Sequence, residues 1–169
     1  MIYFLIGMPG SGKTTLGKEL AKKIQYEYID LDELIEKREG QAIPSIFEQK
    51  GQEYFRQKET EGLEFVIQNY KEILVLTGGG APCFNNNMDL MNKSGKSIFI
   101  DVSSKELFIR LKHGKQNRPL VQGLNDEQLL NKIEQMLLER KPFYRLAHIH
   151  LMGDNLSAQD ILKTLEKES

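Results

Sequence analysis

The stretch that decides the fold is Ile2–Thr14, IYFLIGMPGSGKT, close to the start of the chain. Its first five residues form an apolar run, as expected for a strand that is buried on both faces of a parallel sheet. The next eight residues match the pattern G-x-x-x-x-G-K-[ST], and Leu16, Leu20 and Ile24 then recur at helical spacing. A glycine-rich turn between such a strand and such a helix predicts a phosphate-binding loop, or P-loop.

The chemistry of this loop follows from its backbone and its last residues. Glycines let N–H groups turn toward bound phosphates, and the N-terminus of the following helix adds partial positive charge. We expect Lys13 to reach the β- and γ-phosphates of ATP and the Thr14 hydroxyl to ligate Mg²⁺. A turn that merely caps a helix is the alternative, and the complete motif argues against it. The predicted ATP-binding residues of the loop are Gly10, Ser11, Gly12, Lys13, Thr14 and Thr15.

Short apolar runs alternate with helical patterns along all 169 residues. This alternation predicts right-handed βαβ units, and therefore an α/β fold whose mostly parallel sheet is covered on both faces. Ligands bind such sheets beyond the carboxyl ends of the strands. Since no repeat or linker-like stretch divides the chain, we expect one domain, residues 1–169. The further predicted strands are Tyr26–Ile29, Ile73–Leu76, Ser97–Ile100 and His148–Leu151.

Composition excludes several classes of partner. The chain has 23 Lys and Arg against 24 Asp and Glu, and a nucleic-acid-binding protein would normally carry a basic excess. No apolar run approaches the ~20 residues of a membrane-spanning helix, so we expect no membrane partner. The single cysteine, Cys83, cannot form an internal disulfide, which fits a reducing compartment. We therefore expect a cytoplasmic monomer in which Cys83 is a half-buried packing residue.

Two carboxylates follow the second predicted strand, in Tyr28–Asp32, YIDLD. If the backbone is extended there, Asp30 and Asp32 face the same side. We expect Asp30 to hold the metal, directly or through water, because Mg²⁺ binds oxygen ligands and keeps several waters. We expect Asp32 to bind and orient the hydroxyl of the phosphoryl acceptor. The alternative is that one of these residues simply caps the helix that follows.

Two arginines far apart in the sequence are candidates for binding an acidic substrate. Arg56 begins a long helical stretch, residues 56–70, and Glu59 is spaced to pair with it. Arg140 opens the segment Arg140–Tyr144, RKPFY, at the end of another helical stripe. A planar guanidinium binds a carboxylate through two parallel hydrogen bonds, so the two arginines could hold one substrate carboxylate between them. Surface ion pairing is the alternative for each.

Three glycines, Gly78, Gly79 and Gly80, follow the third predicted strand. They remove every side chain at a point where strand ends meet ligands, so we expect a substrate to approach this backbone closely. An ordinary tight turn would need fewer glycines. The strand resembles a Walker B strand without its acidic residue, which leaves the metal role to Asp30.

Residues 112–124 are polar and lack helical periodicity. They predict a mobile lid that closes over ATP, excludes water and brings Arg118 to the transferred phosphoryl group. An ordinary solvated loop is the alternative. The predicted catalytic residues are Lys13, Asp32 and Arg118.

Taken together, these motifs resemble those of the shikimate kinases, and the resemblance covers nearly the whole chain. The P-loop by itself is shared by very many proteins, whereas the ordered set is much more specific. The residues that carry the resemblance are Gly7–Thr14, Asp30, Asp32, Phe55, Arg56, Glu59, Gly78–Gly80, Arg118–Leu120 and Arg140–Tyr144.

The resemblance implies a fold and a reaction. The fold is a three-layer α/β/α sandwich of the nucleoside-monophosphate-kinase-like P-loop type, with five parallel strands in the order 2-3-1-4-5. The reaction is transfer of the γ-phosphoryl group of ATP to shikimate, with Mg²⁺, in chorismate and aromatic amino-acid biosynthesis. The implied substrate-binding residues are Asp32 for the ring hydroxyls, Arg56 and Arg140 for the carboxylate, Gly78, Gly79, Gly80 and Glu59 around it, and Phe47 and Phe55 as apolar walls.

Two departures from the family pattern concern adenine. The family often has an arginine near the start of the lid that packs on adenine, and Lys112 is the nearest candidate here. A second basic residue often follows the last strand, yet Met152–Ser157 contains none. We therefore expect looser selectivity for the nucleobase, with Lys112 as the predicted contact.

Two other functions fit part of this pattern. Another small-molecule kinase of the same fold, such as a gluconate kinase, would share the P-loop and the lid. A non-catalytic nucleotide-binding module would share the P-loop and lack the acceptor site. A nucleoside monophosphate kinase is disfavoured, because AMP and UMP offer no carboxylate to two arginines.

Overall fold

A parallel five-stranded sheet forms the middle layer of the fold, as expected from the alternating pattern. The structure is a computed structural model that describes residues 1–114 and 122–168. Its strand order is β2-β3-β1-β4-β5, and every neighbouring pair is parallel, which confirms the expected topology. The strands are β1 Ile2–Ile6, β2 Tyr28–Asp30, β3 Ile73–Leu76, β4 Lys96–Asp101 and β5 Ile149–Met152.

Helices cover both faces of the sheet, so the fold is the expected α/β/α sandwich. The residues Phe4, Leu5 and Ile6 are fully buried although they point alternately to opposite faces, as a strand covered on both sides requires. The helices are α1 Lys13–Ile24, α2 Leu31–Glu39, α3 Ile43–Asn69, α4 Asn87–Ser94, α5 Ser104–His113, α6 Asp126–Tyr144 and α7 Ala158–Lys167, with a 3₁₀ turn at Ala81–Cys83.

Two predicted boundaries were wrong, each for a local reason. The second strand starts at Tyr28 rather than Tyr26, because the Tyr26 N–H bonds to the carbonyl of Ala21 and so completes the end of α1. The helix carrying Arg56 starts at Ile43 rather than Arg56, and it is broken at Gly51 (φ 82°, ψ 172°). That backbone conformation is open to glycine and strained for other residues.

Parallel strands place all their carboxyl ends at one edge of the sheet. At this edge, the P-loop follows β1, Asp30 ends β2, and Thr77–Gly80 follows β3. Because these three strands are neighbours in the sheet, three motifs that are distant in sequence meet in one crevice.

The predicted lid, residues 112–124, falls only partly within the described residues, and Arg118 lies outside them. Within the part of the chain that the structure describes, no helix has the length and apolarity needed to cross a membrane.

Candidate active site

A cavity of about 810 Å³ opens at the carboxyl ends of β1, β2 and β3. It brings together most of the residues singled out in the sequence, from six separate segments of chain. Pro9, Ile43, Pro44, Leu76 and Thr77 also line it and were not predicted. The predicted residues that line it are Gly10, Gly12, Lys13, Thr14, Thr15, Asp30, Asp32, Phe47, Phe55, Arg56, Glu59, Gly78, Gly79, Gly80 and Arg140.

The P-loop has the backbone that a phosphate cradle needs. Gly10 (φ 84°) and Gly12 (φ 86°) adopt left-handed conformations, which bend the chain into the start of α1 at Lys13. The Lys13 ammonium folds back over the loop, where it donates to the carbonyls of Gly7 (2.7 Å) and Met8 (2.9 Å). Ser11 is buried beneath the loop and does not line the cavity. The loop and Lys13 can therefore hold a polyphosphate at the helix N-terminus.

Asp30 and Asp32 line the same cavity, but not as the extended pair that we expected. Asp30 is the N-cap of α2, and its Oδ1 accepts hydrogen bonds from the N–H groups of Asp32 (3.0 Å) and Glu33 (3.3 Å). Asp32 is therefore in the first helical turn. The capping role that we considered as an alternative is confirmed for Asp30. Since both bonds end on Oδ1, the second oxygen, Oδ2, could still face a hydrated ion.

The Asp32 carboxyl has a perturbed affinity for protons. Burial raises its pKa to about 6, and the neighbouring charge of Asp30 adds to the rise, while Lys13 opposes it. At neutral pH Asp32 is thus an ionised but easily protonated group. Such a carboxylate suits a residue that accepts a proton from a substrate hydroxyl.

Arg56 and Glu59 form the predicted ion pair, with 2.6 Å between Nη1 and Oε2. Glu59 is only 1% exposed, and burial raises its pKa to about 7 in spite of the opposing charge of Arg56. The guanidinium of Arg56 also lies 4.2 Å from the centroid of the Phe84 ring. Arg56 is therefore a positioned cation inside the cavity, and surface ion pairing does not describe it.

Each of the three glycines gives space to one charged side chain of the site. A β-carbon on Gly78 would lie 2.8 Å from Oδ1 of Asp32. On Gly79 it would lie 2.9 Å from Nη1 of Arg140, and on Gly80 2.5 Å from both Nη1 and Nη2 of Arg56. The space that these glycines leave is thus occupied by side chains of the protein itself, and the close approach of a substrate to this backbone stays a prediction. One carboxylate and two guanidinium groups converge there beside the P-loop.

Tyr144 is a residue of the site that the sequence did not reveal. It is fully buried, and its hydroxyl donates a hydrogen bond of 2.5 Å to the carbonyl of Gly79. Its ring packs against Phe99 of β4, with 5.0 Å between the centroids. Tyr144 therefore fixes the glycine segment against the sheet. The sequence signals for it were its position one turn after Arg140 and its place in the segment Arg140–Tyr144, in which no role was predicted for Tyr144.

Arg110 is a second residue that sequence reasoning missed. Its Nη1 lies 3.4 Å from the carbonyl of Gly10, and its Nη2 donates to the carbonyl of Asp154 in the loop after β5. Lys112, the predicted adenine contact, forms an ion pair with Asp126 at 2.7 Å and does not line the cavity. The cation that joins the P-loop to the loop after β5 is thus Arg110. Its spacing from Glu106, which it pairs with at 2.9 Å, was a weak sequence signal.

Cys83 lies close to this site and is half-buried, as expected. Burial raises the pKa of its thiol to about 11, so the thiol is protonated at neutral pH. This environment fits a packing residue and not a nucleophile.

With this geometry in place, comparison with known proteins decides the family. The family model described as shikimate kinase matches residues 9–168. The chain belongs to the shikimate kinase family. Members of this family are ATP-dependent kinases of aromatic amino-acid biosynthesis, so the chain is a phosphotransferase, as the motif set predicted.

Individual shikimate kinases match this chain over nearly its whole length. The shikimate kinase of Bacteroides fragilis is 43% identical over 161 residues, which are 95% of this chain and 89% of that protein. The crystal structure of shikimate kinase from Bacteroides thetaiotaomicron has a TM-score of 0.94 at 40% identity and covers 98% of both chains. Shikimate kinase from Acinetobacter baumannii, solved in complex with shikimate, has a TM-score of 0.88 at 32% identity and covers 99% of this chain and 94% of that one.

The gluconate kinase alternative is not favoured. A gluconokinase from Sinorhizobium meliloti covers 98% of this chain and 91% of its own with a TM-score of 0.60, but at only 14% identity. A likeness of that kind shows a shared fold and says nothing about a shared acceptor.

Proposed function

We propose that this chain transfers the γ-phosphoryl group of ATP to the 3-hydroxyl of shikimate, giving ADP and 3-phosphoshikimate. The observation that carries the proposal is the convergence of Asp32, Arg56 and Arg140 on the three glycines beside the P-loop. A small cyclic acid with ring hydroxyls offers one carboxylate to the two arginines and a hydroxyl to Asp32. The family and its shikimate-bound member support the same acceptor.

In this proposal the acceptor is held from two sides. Arg56 and Arg140 bind its carboxylate through charge-assisted hydrogen bonds, and Glu59 keeps the Arg56 guanidinium in place. Phe47 and Phe55, whose ring centroids lie 4.7 Å apart, form the apolar wall of the acceptor site. Holding both reactants in line is a large part of catalysis in phosphoryl transfer.

The acceptor hydroxyl is oriented by Asp32, which accepts its proton as the new O–P bond forms and the bond to ADP breaks. Lys13 binds the β- and γ-phosphates from the P-loop, and Arg118 approaches from the lid to stabilise the charge on the transferred group. Lys112 stays the predicted adenine contact, while Arg110 lies at the P-loop.

The residues at the phosphate end of the cavity fit Mg²⁺. Thr14 contributes a hydroxyl and Asp30 a carboxylate oxygen, and hard oxygen donors with room for waters are what Mg²⁺ prefers. When bound, Mg²⁺ would neutralise charge on the β- and γ-phosphates of ATP. Thr14 would contact the ion, and Asp30 would hold one of its waters through Oδ2.

Measurement of ADP release, with and without shikimate and Mg²⁺, tests the proposal. We expect turnover that needs both, and gluconate should not replace shikimate. Strong preference for gluconate would overturn the acceptor assignment. ATP binding without turnover on any acceptor would instead support a non-catalytic nucleotide-binding module.

A further inference from the structure

Three consecutive asparagines, Asn85–Asn87, lie after the triple glycine, with Asn87 as the first residue of α4, and no part of the proposed reaction uses them. Asn85 (φ 51°) and Asn86 (φ 55°) both adopt the left-handed conformation, which asparagine tolerates better than most residues. Two successive residues in this conformation form a turn, from which the side chains of Asn85 and Asn87 reach α3. The turn thus brings two amide groups onto the helix that carries Arg56.

Asn87 is fully buried and uses both ends of its amide. Its Nδ2 donates to the carbonyl of Ala81 (2.9 Å), and its Oδ1 lies 3.0 Å from the hydroxyl of Thr60, which can donate either to it or to the backbone carbonyl of Arg56 (3.2 Å). Ala81 directly follows Gly80, and Thr60 lies one helical turn after Arg56. Asn87 therefore connects the segment that follows Gly80 to α3, at a position one helical turn after Arg56.

Asn85 adds a second connection between the same elements. Its Nδ2 lies 3.2 Å from the backbone carbonyl of Arg56 and 3.2 Å from the Thr60 hydroxyl, and it can donate to either. We call Asn85, Asn87 and Thr60 the asparagine clasp.

The position of the Arg56 guanidinium depends on the distance between the glycine segment and α3, which the asparagine clasp fixes. Its terminal nitrogens need the space that Gly80 leaves, and its face packs on Phe84, which lies in the same loop. Its Nε is buried and has no hydrogen-bond partner among the described residues, and Glu59 bonds to Nη1, one of the two terminal nitrogens that lie beside Gly80. A small shift of the loop against α3 would therefore move the guanidinium out of place.

We propose that Asn87, acting with Thr60, is a positioning residue that places Arg56 for binding of the acceptor carboxylate. The proposal rests on the proposed function, since it assigns the effect to the acceptor. Removal of the buried Asn87 amide takes a hydrogen-bond partner from the Ala81 carbonyl and from the Thr60 hydroxyl, which weakens the connection between the glycine segment and α3.

The variants Asn87→Ala, Thr60→Val and Thr60→Ser test the clasp. We expect Asn87→Ala and Thr60→Val to raise the KM for shikimate about 5- to 30-fold, the ratio that matches one lost buried hydrogen bond. The KM for ATP and kcat should stay within about twofold. Thr60→Ser keeps the hydroxyl and should restore the wild-type KM. Asn69→Ala, an exposed asparagine at the end of the same helix, is the control and should change none of these constants.

A double-mutant cycle with Arg56→Lys separates positioning from general destabilisation. In the Arg56→Lys background, Asn87→Ala should add no further increase in the KM for shikimate, because the guanidinium that it places is already gone. An equal increase in both backgrounds, or an equal rise in the KM for ATP, would overturn the proposal. If the Asn87→Ala protein does not fold, the same double-mutant cycle is carried out with Thr60→Val in its place, and the same outcomes support or overturn the proposal.

Failure of the proposed function would look different from failure of the clasp. If the proposed function is wrong, the wild-type protein will show no shikimate-dependent turnover of ATP. A crystal structure of Thr60→Val then still tests the clasp, because the guanidinium of Arg56 should be displaced from Gly80. A guanidinium in its original place would contradict the proposal.

Discussion

The guanidinium of Arg56 occupies the space that a side chain at position 80 would fill. A β-carbon on Gly80 would stand 2.5 Å from both terminal nitrogens of Arg56, well inside van der Waals contact. The backbone of Gly80 (φ −87°, ψ −21°) is in a conformation open to any residue, so the constraint here is space and not backbone strain. Glycine at position 80 thus contributes to the acceptor site because it has no side chain and leaves room for the Arg56 guanidinium.

Replacement of Gly80 by alanine should displace Arg56 while leaving the fold intact, because the clash involves the end of a flexible side chain. We expect the KM for shikimate to rise at least tenfold, about 1.4 kcal/mol, with the KM for ATP unchanged. Steady-state kinetics with each substrate varied in turn check this. Gly40→Ala is the control, since nothing lies within 4 Å of its β-carbon and only its left-handed backbone (φ 68°) is strained. An unchanged KM for shikimate in Gly80→Ala would show that Arg56 does not bind the acceptor.

Removal of either arginine should weaken acceptor binding, because each leaves a carboxylate partly unpaired in a buried site. Arg56→Ala and Arg140→Ala should each cost roughly 2–5 kcal/mol of shikimate binding, measured by calorimetry or fluorescence titration. Arg145→Ala, an exposed arginine five residues after Arg140, should bind shikimate normally. Normal affinity in both site variants would remove the carboxylate-binding role.

Asp32 should destabilise the ligand-free protein at neutral pH. Its pKa of about 6 lies above the ordinary value of an aspartate in an unfolded chain, so the folded state binds the proton more tightly. The resulting stability is complete below about pH 4 and is lost as the pH rises through 6. Asp32→Asn, which cannot ionise, should therefore be more stable than wild type at pH 8 by about 1–3 kcal/mol and equally stable at pH 4.

Thermal unfolding at the two pH values measures this difference, which corresponds to a rise in Tm of several degrees at pH 8. The same variant should lose acceptor turnover. Glu33→Gln, at the exposed neighbouring position of α2, should show neither effect. A Tm difference for Asp32→Asn that does not depend on pH would contradict the assignment of the raised pKa to Asp32.

The pH dependence of kcat/KM for shikimate should report the same carboxyl group. Because the hydroxyl needs an ionised Asp32, kcat/KM should fall as the pH drops below about 6, approaching tenfold per pH unit. Glu59, with a pKa of about 7, also titrates nearby. The variant Glu59→Gln distinguishes the two: the acid limb persists if Asp32 causes it and disappears if Glu59 does.

Loss of the Tyr144 hydroxyl should affect both stability and acceptor binding. Tyr144→Phe leaves the partly buried carbonyl of Gly79 without its donor, at a cost of about 1–3 kcal/mol in the free energy of unfolding. Since Gly79 faces Arg140, the KM for shikimate should rise while the KM for ATP does not. Denaturant unfolding and kinetics check the two effects. Tyr28→Phe, at an exposed position, serves as the control.

Some features of the site could be predicted because they depend on neighbours in sequence. The P-loop is one continuous segment, and its glycines, lysine and threonine act through the backbone that they form themselves. The pair of Arg56 and Glu59 needs only the spacing of one helical turn. The start of β2 at Tyr28 was missed because a capping hydrogen bond just before it completes the end of α1. The start of α3 at Ile43 was missed because its first segment is separated from the Arg56 segment by the break at Gly51.

Other features depend on contacts that no local pattern encodes. The sequence could place three glycines at a strand end, but the partner of each, Asp32, Arg140 or Arg56, follows from how α2, α6 and α3 pack around the sheet. The bond from Tyr144 to Gly79 joins residues 65 positions apart, and that from Arg110 to Gly10 joins residues 100 apart.

The sequence by itself determined the α/β class, the phosphate-binding loop and the set of charged groups available to an acidic acceptor. Local backbone geometry and hydrophobic periodicity depend on residues that are neighbours in the sequence, so these features can be predicted from the sequence. The tertiary structure alone decided which charged groups meet and which stay apart, for example that Arg110 and not Lys112 bonds to the P-loop. The packing of the helices against the sheet decides which charged groups meet, because it buries each group beside a particular partner and away from water.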